Sequence, residues 1–114
     1  MTVTFDMVRD IALELPSVSE GTSYGTPALK AGKTLIARLK EDGETLVLKI
    51  DLMERDILLE SAPDVFFLTD HYRGYPLVLV RLARADIRQI EMLLKRAWFA
   101  AAPKRLTKPY PPPR

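Results

Sequence analysis

Cysteine is absent from this sequence, and that absence removes disulfides, thiol nucleophiles and thiolate metal sites together. Histidine is nearly absent. His71 stands alone, so no zinc or iron centre can be built from several histidines of one chain. Long apolar runs are missing too, and nothing approaches the roughly 18 residues that a membrane-spanning helix needs. The opening residues, MTVTFDMVRD, lack the basic start and apolar stretch of a secretory signal, so the cytoplasm is the expected compartment. Glycine is scarce at five residues, and three of those fall between Leu15 and Lys33.

What is present suits one folded domain. Hydrophobic residues make up 47% of 114 positions, enough for a core and too many for a disordered chain. The net charge is only +2, but it is unevenly spread. All fifteen acids lie in residues 1–91, whereas Lys95, Arg96, Lys104, Arg105, Lys108 and Arg114 follow with no acid among them. A basic end of this kind suits a polyanionic partner; a solvated basic tail explains it equally well.

The stretch Leu15–Lys33 organises the rest. Pro16 disfavours helical geometry at Leu15 and should close a first helix. Gly21 and Gly25 can take positive φ, and Ala31-Gly32 reads as a tight hairpin turn. Pro27 has no N–H to give, which predicts an edge strand or a bulge. Helix 1 is expected over Phe5–Leu15 behind a Thr4 N-cap, with Phe5, Val8, Ile11, Ala12 and Leu15 on one face.

Tyr24–Lys30, Thr34–Leu39 and Thr45–Ile50 should form a three-stranded meander, with Asp42-Gly43 as a two-residue hairpin. In the second strand, Leu35, Ala37 and Leu39 should share one face and Thr34, Ile36 and Arg38 the other. Asp51 and Glu54 box the start of a short helix over Met53–Glu60, which Ile57 and Leu58 should dock. Val65–Thr69 and Leu77–Leu82 read as two more strands, separated by the turn DHYRGYP. The LVLV run predicts burial on both faces. Asp86 should cap a last helix over Ile87–Ala100, anchored by Trp98. Residues 103–114 should be an extended, mobile, Pro-rich basic tail on a single domain of residues 1–102. The predicted fold is a two-layer α+β sandwich, helix-strand-strand-strand-helix-strand-strand-helix. An antiparallel sheet of about five strands is backed by the N- and C-terminal helices.

Several short motifs, taken in order, resemble the MmcQ/YjbR family of small bacterial proteins. They are Leu15-Pro16, Glu20-Gly21-Thr22, Tyr24-Gly25-Thr26-Pro27-Ala28-Leu29-Lys30 and Gly32-Lys33. His71-Tyr72, Gly74-Tyr75-Pro76, Val78–Leu82 and Ala97-Trp98 follow. The resemblance implies a fold similar to that of the bacterial frataxin homologue CyaY. It also implies DNA binding through a double-wing arrangement and brings no established enzymatic activity with it; the expectation is a non-enzyme without a cofactor.

The residues offer chemistry for that reading and against its rivals. Lys30, Lys33, Arg38 and Lys40 lie on or beside the first strands, with Lys49 nearby. Arg73, Arg81, Arg84 and Arg88 surround the last strands, and Lys104 and Arg105 start the tail. These are the expected contacts to duplex DNA, which should be weak and largely non-specific. Glu41, Asp42 and Glu44 at the second hairpin tip would repel DNA. Tyr24, His71 and Tyr72 are candidate ligand contacts. Asp70-His71 could suggest acid–base work. Neighbouring residues on a strand or turn point different ways, however, so no catalytic residue is assigned. Asp6, Asp10 and Glu14 form a carboxylate stripe on helix 1. It reads as a solvated face, with a weak frataxin-like metal site as the rival and no tight metal site expected. The expected protein is a monomer or weak dimer with no membrane partner. The alternative function is a small-molecule-binding or protein-interaction module without catalysis.

Overall fold

Thr4 starts the fold as the sequence suggests. Its hydroxyl accepts the N–H of Met7 at 3.3 Å and caps α1, Phe5–Leu13, which buries Val8 and Ala12. The computed structural model describes residues 2–112; Arg114, the last cation of the basic end, lies outside them. After α1 come β1 (Val18–Ser23), β2 (Thr26–Ala31), β3 (Thr34–Leu39) and β4 (Thr45–Lys49). Then follow α2 (Leu52–Ser61), β5 (Phe66–Phe67), β6 (Leu77–Arg81), α3 (Ile87–Ala101) and the single turn α4 (Lys104–Thr107). The strands form one antiparallel sheet in the order β1-β2-β3-β4-β6-β5. Among the described residues no helix is long and apolar enough to cross a membrane.

The α+β architecture follows the predicted one, with six strands in place of about five. The extra strand is β1, VSEGTS, whose residues are mostly exposed. It carries no apolar alternation because it is an edge strand, held by backbone pairing with β2 rather than by side-chain burial. Gly21 therefore sits in a strand with no positive φ, whereas Tyr24 (φ 54°) and Gly25 (φ 78°) make the hairpin turn. Pro27 is consequently not on an edge. It is tolerated because the β2–β3 register begins one residue later, at Ala28↔Arg38.

Other boundaries move for similar reasons. The β2–β3 turn is Gly32-Lys33, with Gly32 at φ 61°. The β3–β4 loop is wider than two residues: Lys40 N–H bonds Thr45 O at 2.8 Å, leaving residues 41–44 outside the ladder. Register shifts between Leu29 and Lys30, so Ile36 is an extra residue in β3. That bulge breaks the predicted alternation. Ile36 turns into the main core with Ala37 and Leu39, while Leu35 and Arg38 lie on the other face. β5 is only two residues long, because the chain then leaves the sheet edge and crosses its outer face.

Helices α1 and α3 cover one face of the sheet. The core there joins Val8 and Ala12 to Leu46, Leu48, Val78 and Val80, and to Ile90, Leu94 and Trp98 of α3. Trp98 is 3% exposed, and its indole N–H donates to Pro16 O at 2.8 Å, tying α3 to the end of α1. α2 docks through Arg55 and Leu58, not through Ile57, which is 64% exposed. On the outer face, residues 68–76 form a strap that buries Val47 and Leu79 under Tyr72. The C-terminal segment is not extended. Thr107 is buried, Tyr110 packs edge-on against Trp98 at 5.2 Å, and the Pro103 ring lies beside Gly32.

Candidate functional site

Strand alternation decides which cations share a face. Leu29 and Ala31 point into the main core, so Lys30 between them points outward, as does its partner Leu35. Leu48 and Ile50 likewise send Lys49 outward. Lys33 occupies the adjoining turn and is exposed. β3 and β4 are antiparallel, so the start of β3 and the end of β4 lie together. Lys30, Lys33 and Lys49 therefore gather at one end of the outer face. Pro103 adds α4 to that end: a Cβ on Gly32 would meet its Cδ at 3.5 Å. Lys104 and Arg105 follow directly, both exposed. The β2–β3 hairpin and the C-terminal cations, far apart in sequence, thus meet at one end of the sheet.

Arg38 does something different. It is 6% exposed, and its guanidinium donates to Tyr72 Oη at 2.8 Å, Thr26 Oγ1 at 3.3 Å and Leu39 O at 3.5 Å. It also pairs with Glu41 at 3.4 Å and lies 5.2 Å from the centroid of the Tyr24 ring. Tyr24 is 85% exposed at its left-handed turn position. Lys40 places its ammonium 5.5 Å from the centroid of the Tyr72 ring. These contacts pin the strap to β3. His71 is exposed and stacks edge-on against Tyr72 at 4.8 Å. Its neighbour Asp70 pairs with Arg73 at 2.9 Å.

Arg81, Arg84 and Arg88 are exposed at the opposite end. Thr45↔Arg81 puts Arg81 beside the β3–β4 loop, one strand length (about 20 Å) from Lys33. Arg81 lies 4.0 Å from the Phe67 ring centroid and donates to Pro63 O and Asp64 O. Apart from Arg38, Lys40 and Arg73 at the strap, the sequence-predicted cations accordingly split into two groups, and the second shares its end with Glu41, Asp42 and Glu44. Burial would raise the Asp42 pKa, but bonds from Glu44 N–H, Thr45 Oγ–H and Thr45 N–H outweigh it and hold the carboxyl below its ordinary value. Glu41 is also lowered, chiefly by its own backbone N–H and then by Arg38.

Two other patterns find no chemistry. Asp6 and Asp10 both pair with Arg9, and the described residues hold no group of three His, Asp or Glu side chains placed for a metal ion. Gly21-Thr22-Ser23-Tyr24-Gly25 spells Gly-x-Ser-x-Gly, but a nucleophile elbow needs a strand-to-helix turn. Here the five residues lie on β1 and its hairpin turn. What sequence reading missed is Arg55. It is buried, and its Nη1 donates to Tyr75 O at 2.8 Å, Arg73 O at 3.3 Å and Leu77 O at 3.5 Å, clamping the strap. An arginine among the polar residues of a short amphipathic helix carries no sequence mark of that role.

Comparison with known proteins places this architecture. The family model described as YjbR matches residues 13–100. Uncharacterized proteins of Mycobacterium bovis and Mycobacterium tuberculosis are 45% identical over 53 residues. The matched stretch is 46% of this chain and spans 41% of each relative's length. The crystal structure of Deinococcus radiodurans protein DR2400, with a domain described as DUF419, superposes with a TM-score of 0.78 at 21% identity. That match covers 95% of this chain and 88% of the other, and it shows the shared fold.

Proposed function

This chain belongs to the YjbR family, and from that premise we propose that it binds duplex DNA weakly, without catalysis, through the cationic end of its sheet. The observation that carries the reading is the seating of Pro103 beside Gly32, which brings the segment carrying Lys104 and Arg105 to the same end of the sheet as Lys30, Lys33 and Lys49. Separated cations gain little from a polyanion; gathered ones release several counterions together. In this reading residues 1–102 are the domain proper, and the basic segment 103–114 completes its binding surface with Lys104 and Arg105. Arg81, Arg84 and Arg88 make a secondary contact region that the hairpin carboxylates weaken, and Arg73 stays paired with Asp70. Arg38 and Lys40 hold the strap rather than phosphates. The protein works in the cytoplasm as a monomer or weak dimer.

With a net charge of +2, affinity is expected on the order of 10⁻⁴–10⁻⁶ M at physiological salt. Fluorescence anisotropy with labelled duplex DNA at low salt tests the reading. Binding should saturate and fall steeply as salt rises. Absence of binding at high protein concentration would end it.

A second reading has one observation of its own. Leu52, Met53 and Ile57 of α2 are exposed, which suits a protein-interaction module. It predicts association that is insensitive to salt and lost on Met53→Lys with Ile57→Lys.

A further inference from the structure

A hollow of about 240 Å³ opens on the outer face at the cationic end. Leu35, Val47 and Leu77 make its floor, and Lys49, Tyr75 and Pro76 its rim. No carboxylate is among its lining residues. Lys49 lines the hollow itself, Lys30 is the cross-strand partner of its lining residue Leu35, and Lys33 precedes the lining residue Thr34, so three lysines lie at or beside an apolar slot. Tyr75 is half exposed, and its backbone is fixed: Arg55 holds its carbonyl, and its N–H donates to Tyr72 O at 3.1 Å. His71 lies 6.4 Å from the Tyr75 ring, centroid to centroid, and extends the aromatic edge of the slot.

An apolar slot with a preorganised ring on its rim and cations around it fits a flat aromatic ring attached to a phosphate chain. A duplex keeps its bases stacked inside and can offer only phosphates. An unpaired strand can offer both. We propose that this hollow takes an unpaired nucleobase, stacked against Tyr75, while Lys30, Lys33 and Lys49 hold the flanking phosphates. The proposal rests on the nucleic-acid reading above and sharpens it: single-stranded DNA is the preferred ligand, and duplex DNA engages the same lysines without filling the slot. Arg55 acts as a positioning residue that presents Tyr75.

Anisotropy with an oligothymidine single strand and a duplex of equal length separates the two claims. The single strand should bind more tightly. Tyr75→Ala should cost it roughly five- to hundredfold, as loss of one base–aromatic stack does, and leave the duplex unchanged. Leu35→Trp, which fills the slot without altering charge, should also abolish the preference. Tyr75→Ala alters an exposed side chain and keeps the backbone anchors, so it remains decisive even if Leu35→Trp does not fold. Duplex binding with no single-strand preference, or a preference that survives Tyr75→Ala, overturns this inference alone. Absence of binding to either ligand overturns it together with the proposed function.

Discussion

Arg38 donates to the phenol oxygen of Tyr72 at 2.8 Å, joining β3 to the strap across 34 positions of chain. Both side chains are buried, on the sheet face opposite α1 and α3. Removing the phenol oxygen leaves a buried guanidinium short of a partner, which costs about 1–3 kcal/mol. Tyr72→Phe should lower stability by that amount in urea denaturation. The slope of DNA affinity against salt should not change, because Arg38 is a structural cation and not a phosphate contact.

Trp98 combines a large buried surface with a hydrogen bond to Pro16 O. Trp98→Ala should destabilise the fold by about 3–5 kcal/mol. Chemical denaturation checks it, and a loss under about 1 kcal/mol would place the indole outside the core.

The C-terminal segment contributes to stability as well as charge. Tyr110 meets Trp98 edge-on, a pairing worth about 0.5–1.5 kcal/mol beyond the area it buries. Tyr110→Ala should lower the thermal midpoint, and truncation at Pro103 should lower it further by also removing buried Thr107. Charge reversal at Lys104 and Arg105 should leave the midpoint in place. Reversal, not truncation, is therefore the clean test of their binding role.

Asp42 gives the fold an acid dependence of known sign. Its carboxyl titrates below the ordinary value of 3.8 in the folded chain. The stability it contributes is complete above that value and is lost as pH falls through the lower folded pKa. Thermal midpoints should drop in that acid range. In Asp42→Asn the drop should be shallower, since the amide cannot titrate.

Much of this was legible in the sequence. Asp51 and Asp86 cap α2 and α3 where their positions before apolar runs suggest, and Trp98 is buried. The LVLV run is buried on both faces, because Val78 and Val80 face the main core and Leu79 lies under the strap. What failed has specific causes. β1 lacks apolar alternation, so no periodicity announces it. The extra residue at Ile36 switches the faces of Leu35 and Ile36 while Ala37, Arg38 and Leu39 keep theirs, and a bulge leaves no composition signal. Lys30 and Lys33 were legible as hairpin cations, but their union with Lys104 and Arg105 depends on the Pro103–Gly32 contact, which only the folded chain supplies. Arg38 reads as a surface cation by type; its burial follows from the strap that crosses it.

The central claim is that the cations around the Gly32-Lys33 turn act as one phosphate-binding surface. The most direct measurement is the slope of log affinity against log salt for duplex DNA, in wild type and in Lys30→Glu with Lys33→Glu. Each phosphate contact contributes about −0.9 to that slope. The variant should bind more weakly, with a slope shallower by about two such contacts. Unchanged affinity and slope would contradict the account, even if the protein binds DNA elsewhere.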